Sequence, residues 1–144
     1  MLRTILNGWN TEHRHQRKDT DKSNWCLLGC PRGAEDSLEH YCCCPVIHRT
    51  LRTKLRLSYP VQQSLSLWTL DHIANKDTDI LKCNALINYA AYMATNMFRK
   101  KGRANTQDIG YHGVCQHLIQ SARRHSATAR FLDSRWQRDI KYVI

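Results

Sequence analysis

A mostly α-helical fold is what this chain of 144 residues predicts, on three observations. Apolar residues recur at helical spacing in its long segments, and no alternating strand pattern of any length is present. Five of its seven cysteines crowd between positions 26 and 44, ahead of those segments, in a stretch punctuated by glycine and proline.

Taken in order, residues 1–10 read as a short helix with Leu2, Ile5 and Leu6 on one side, stopped at Gly8, with Trp9 as an apolar plug. Residues 11–24 are polar (His13, Arg14, His15, Arg17, Lys18, Lys22) and read as a solvated helix or loop. Gly29, Pro31 and Gly33 make residues 26–33 a turn-rich knuckle. Asp36 is the expected N-cap of the next helix, since Glu39 stands three residues on at capping-box spacing. That helix carries His40, Cys43 and Cys44 until Pro45 ends or bends it. A second helical pattern covers 46–57, with Val46 or Ile47, Leu51 and Leu55 inward.

Ser58–Pro60 is the expected boundary, giving a segment 1–57 and a helical segment 58–144 that can form one domain with it. Leu65, Leu67, Trp68, Leu70 and Ile73 form an apolar patch without clear period. The longest helix is expected over Asp77–Lys101, with Ile80, Cys83, Leu86 or Ile87, Ala90, Ala94 and Met97 or Phe98 inward. It ends in Arg99, Lys100 and Lys101 before Gly102, cations and a glycine where a helix C-terminus favours them. Thr106–His125 follows as a helix on Val114, Leu118 and Ala122, and Ala127–Trp136 as a last one carrying Phe131 and Leu132.

The cysteine-rich stretch has metal-ligand spacing. Cys26 and Cys30 form a Cys-x-x-x-Cys pair in a glycine-bearing turn, one residue wider than the usual knuckle. His40 and Cys44 are four apart, so a helix would place them on one face. Cys43, at i+3, also qualifies, although Cys44 is preferred, and Cys42 falls on the wrong face. Cys26, Cys30, His40 and Cys44 are therefore read as ligands of one structural zinc ion, a closed Cys₃His site that holds a fold and does no chemistry. The predicted fold class is then mostly α, with a small zinc knuckle packed on a helical bundle. His112 and Cys115 share a helix face, but a packed cysteine with surface histidines at 112 and 117 is the expected arrangement.

Lys and Arg number 22 against 12 Asp and Glu, a net charge of +10, which favours an acidic partner such as RNA or DNA. Arg49, Arg52, Lys54 and Arg56 leave the metal site on one helix and are the expected phosphate contacts, with further cations at 99–103, 123–125 and 130–138. Trp9, Trp25 and Tyr41 are expected to pack around the knuckle, with base stacking as their alternative use. No apolar run spans a membrane, residues 1–9 lack a signal-peptide core, and the odd cysteine count suits a reducing, intracellular compartment, nuclear or cytoplasmic. The chain shows no Gly-rich phosphate loop, no paired aspartates and no G-x-S-x-G, so neither an enzyme nor a small-molecule substrate is expected.

The run W-C-L-L-G-C-P-R-G-A-E-D-S-L-E-H-Y-C-C-C-P resembles the zinc-binding segment that follows the polymerase region in reverse transcriptases of non-LTR retrotransposons. That family's pattern of a Cys pair, an acidic stretch, Glu-His and Cys-Pro falls on Cys26, Cys30, Glu35 and Asp36, Glu39-His40 and Cys44-Pro45. It favours Cys44 over Cys43, because the family cysteine precedes proline. The upstream L-R-T-I-L-N-G-W-N-T-E-H-R and the later F-L-D-S-R-W are similar to flanking segments there. The polymerase's catalytic aspartates have no counterpart in this chain. What the resemblance implies is a detached, non-catalytic zinc-binding tail that grips RNA or DNA. The alternatives are a zinc-organised protein-interaction module and a retroelement relic without function.

Overall fold

The computed structural model describes residues 25–31, 34–57 and 78–135. The expectations for residues 1–24, including Trp9, for the boundary at Ser58–Pro60, for the apolar patch Leu65–Ile73 and for Trp136 lie outside them. The described architecture is helical, with no strand among the described residues beyond a single antiparallel bridge between Trp25 and Glu35. Its helices are α1 (Leu38–Cys43), α2 (Pro45–Thr50), α3 (Thr78–Lys101), α4 (Gln107–Arg124) and α5 (Ser126–Arg135). A π-helical turn, Leu51–Leu55, continues α2.

α1 starts one residue later than expected. Its N-cap is Ser37, whose Oγ accepts from the His40 amide at 3.1 Å. Asp36 does not cap: its carboxylate turns inward and is fully buried. The helix ends at Cys43, because Cys44 precedes proline and takes an extended conformation (φ −60°, ψ 123°). Pro45 then opens α2 at the first helical position, where its missing N–H costs nothing. The single helix expected over 46–57 is instead α2 plus the π turn, closed by Arg56 at φ 54°. Both Val46 and Ile47 are buried, as are Leu51 and Leu55.

α3 runs from Thr78, the first described residue of this part of the chain, to Lys101, its expected end. Ile87 rather than Leu86 and Phe98 rather than Met97 are buried, with Cys83, Ala90 and Ala94. α4 is central and touches α2, α3 and α5. Thr106 caps it, accepting from the Ile109 amide at 3.3 Å, and Val114 and Leu118 are fully buried. Leu132 anchors α5, with Phe131 half-buried beside it. One core cluster joins residues from both sides of the 57/58 boundary.

The knuckle docks on the start of α4 backbone to backbone. The Ala104 amide donates to Leu27 O at 3.0 Å. Gly29, at φ 82°, lies so close to the Thr106 carbonyl that a Cβ there would overlap it, and Gly110 stands equally close to the Leu28 carbonyl. Gly113, by contrast, faces the edge of the Phe98 ring, 2.8 Å from where a Cβ would sit. Gly110→Ala is therefore expected to destabilise by about 3 kcal/mol despite alanine's better helix propensity, because a main-chain carbonyl cannot step aside. Gly113→Ala should cost less, since a ring can turn. Equal urea midpoints for the two variants would show that the seam between knuckle and α4 is slack.

Candidate metal centre

The first two candidate ligands sit in a turn closed by the Trp25–Glu35 bridge and by the Cys26 amide, which donates to Ala34 O at 2.6 Å. The other two flank the end of α1: His40 within it and Cys44 at the joint with α2. The ligand atoms of Cys26, Cys30, His40 and Cys44 all lie within 4.8 Å of one another. All three sulfurs are buried, and Cys30 Sγ is 3.6 Å from Cys44 Sγ. A tetrahedral ion with metal–sulfur bonds of about 2.3 Å would hold two sulfurs roughly 3.8 Å apart. The spacing is thus that of ligands around one ion, and too wide for the S–S bond of about 2 Å in a disulfide.

His40 supplies an independent sign. Its Nε2 is buried and has no hydrogen-bond partner. A buried ring nitrogen without a partner costs on the order of 1–3 kcal/mol, which a metal–nitrogen bond would remove. The four residues therefore lie close enough to bind one metal ion, and their chemistry fits one. The other cysteines stand apart from the cluster. Cys43 is exposed, its thiol directed at the His40 carbonyl (3.3 Å), and the Cys42 thiol is pushed up to about 12, chiefly by burial.

The electrostatics of the cluster favour a thiolate at one position. The Cys30 thiol is pulled down to about 4, first by the hydrogen bond with Cys26 and then by that with Cys44. Burial opposes this, while the Arg103 charge and a hydrogen bond from Gln107 add to it. Cys44 is pushed well above the ordinary thiol range by its hydrogen bonds to Cys26 and Cys30 and by burial, so it keeps its proton and donates to Cys30. Without an ion the sulfurs share protons; binding a divalent cation expels them.

A buried network ties the site to the bundle. Tyr41, fully buried on α1, donates to Asp36 Oδ1 at 2.6 Å and accepts from the Leu27 amide, 3.4 Å away in the Cys26–Cys30 turn. The phenol is held protonated by burial and by the Asp36 charge. The second Asp36 oxygen accepts from Arg99 Nη2 on α3 at 2.9 Å. Arg103, past the end of α3, donates to the Cys30 carbonyl. Sequence reasoning missed Asp36, Arg99 and Arg103, because their partners are 63 and 73 positions away.

The four expected phosphate contacts do not form one free face. Arg52 and Arg56 are exposed and make no ion pair among the described residues. Lys54 is half-buried. Arg49 pairs with Asp108 at 2.5 Å and its guanidinium lies 4.3 Å from the centroid of the Tyr111 ring, so it pins the end of α2 to the first turn of α4. In the His112–Cys115 pair, His112 Nδ1 bonds the Asp108 carbonyl at 2.7 Å, and burial pushes the Cys115 thiol up. No helix among the described residues is long and apolar enough to cross a membrane.

Compared with protein-family models, with curated proteins and with solved structures, the chain finds no match.

Proposed function

We propose that this chain is a non-catalytic nucleic-acid-binding module stabilised by one structural zinc ion, a role like that of the retroelement tail its knuckle resembles. Three thiols and a partnerless buried imidazole within 4.8 Å carry the reading. That donor set matches zinc's preference for sulfur and nitrogen in a closed tetrahedron. With three thiolates bound, the site would carry a net negative charge, and Arg103 stands beside Cys30 to offset it. All four positions are taken by protein, so the ion organises a surface and activates no water.

The nucleic-acid part is supported by the net charge of +10 and by where exposed cations lie. Arg52 and Arg56 project from the π turn, which touches α5, and Arg130 is exposed on α5. Purified protein should carry one equivalent of zinc by elemental analysis. It should bind RNA or DNA with an affinity that falls steeply as salt rises, and Arg52→Ala with Arg56→Ala should flatten the logarithmic salt slope by about two. Absence of binding at low salt would favour a protein-interaction module instead, a reading to which the exposed apolar side chains Tyr89 on α3 and Ile109 on α4 lend some support.

A further inference from the structure

We propose that the cleft on the outer side of the knuckle takes one unpaired base of a nucleic-acid strand, an inference that deepens the nucleic-acid reading above and rests on it. The cleft has a volume of about 430 Å³ and is lined by Trp25, Gly29, Cys30, Pro31, Arg103, Ala104, Asn105 and Gln107. That size lies in the range of small-ligand sites, room for one nucleotide.

Its chemistry is that of a base pocket. Trp25 presents an indole whose neighbour is the Arg103 guanidinium, 5.1 Å from the ring centroid. Indole and guanidinium planes are the two side-chain surfaces on which a splayed base stacks. The rim adds two amides, Asn105 and Gln107, each able to donate and to accept along a base edge. Among the described residues no carboxylate lines the cleft. Among the described residues its one formal charge is Arg103, a cation beside the indole for a phosphodiester oxygen. A paired base offers neither face, because its neighbours in the duplex occupy both, so the pocket selects single strands or loops.

The pocket is also built on the metal site. Arg103 donates to the Cys30 carbonyl, and Gln107 lines the cleft together with Cys30. Gly29, fixed against Thr106, forms the floor. An ion that holds Cys30 therefore steadies Arg103, one of the contacts a base would use.

The test compares a fluorescent eight-nucleotide single strand with a blunt hairpin duplex of the same bases, at one salt concentration, on the zinc-loaded full chain. Trp25→Leu should weaken single-strand binding about tenfold, the effect of losing one stacked base, and leave duplex binding unchanged. Trp25→Tyr, which keeps a stacking face, should restore most of it. Asn105→Ala, at an exposed position outside the core, should weaken the single strand about threefold with no change in melting, which covers the case of a Trp25 variant that fails to fold. If wild-type protein binds both probes and neither Trp25→Leu nor Asn105→Ala separates them, the cleft is not a base pocket while the nucleic-acid reading stands. If wild-type protein binds neither probe, both fall, and a peptide ligand for the cleft becomes the alternative.

Discussion

A chelator added to the purified protein will lower its melting temperature by more than about 15 °C and loosen the segment from Trp25 to Leu57. The size follows from the linkage of binding to folding. Structural zinc in small sites is worth on the order of 10 kcal/mol at neutral pH, and a domain of this size shifts by roughly 2–8 °C for each kcal/mol. Without the ion, three buried sulfurs and the His40 nitrogen lose their common partner, and the turn that holds Cys26 and Cys30 is left with a short bridge and a few main-chain bonds. Cys30→Ser should reproduce much of the loss, whereas Cys43→Ser, at an exposed thiol outside the cluster, should not. Circular dichroism and melting that ignore the chelator, or equal effects from the two serine variants, would remove the metal from the account of this fold.

Asp36→Ala is expected to cost about 3–5 kcal/mol, read as a shift of the urea midpoint. The reason is the company Asp36 keeps. Its carboxylate is fully buried, and removing it strands the Arg99 guanidinium, only 19% exposed, together with the Tyr41 hydroxyl. Losing one partner of a buried pair costs more than losing both, because the survivor keeps its desolvation penalty without its compensation. Asp36→Leu combined with Arg99→Leu should therefore destabilise less than the sum of the single changes. Strict additivity would mean that the pair is solvated in solution.

The parts of this architecture that could be read from the chain are those whose causes are local. The candidate ligands span residues 26–44 and belong to residue types with few other uses at such spacing, so the cluster, with Cys44 in it and Cys43 outside, was legible. The end of the long helix α3 was legible because it carries three cations and a glycine. Local signals misled where two residues could play one part. Asp36 and Ser37 both cap helices, and the buried donors Tyr41 and, across the core, Arg99 favour serine as the cap with aspartate inside. Cys44 was read as the last turn of a helix, although the proline after it forces the extended joint that aims its thiol. The Arg49–Asp108 pair has no local signal, because the two residues lie 59 positions apart. The glycines at 29 and 110 gave no sign of their role, since what each avoids is a carbonyl brought in from another part of the chain.

The two glycine contacts between knuckle and α4 bear on how such a chain can diverge. Most of its surface is tolerant ground, where one cation replaces another and a long side chain finds a new rotamer. At positions 29 and 110 the neighbour is main chain, which has no rotamers to offer, so each accepts a single residue type unless the two bodies part. Distant descendants could thus lose most of their visible likeness to this sequence and still keep glycine at these two places, spaced against the same thiols.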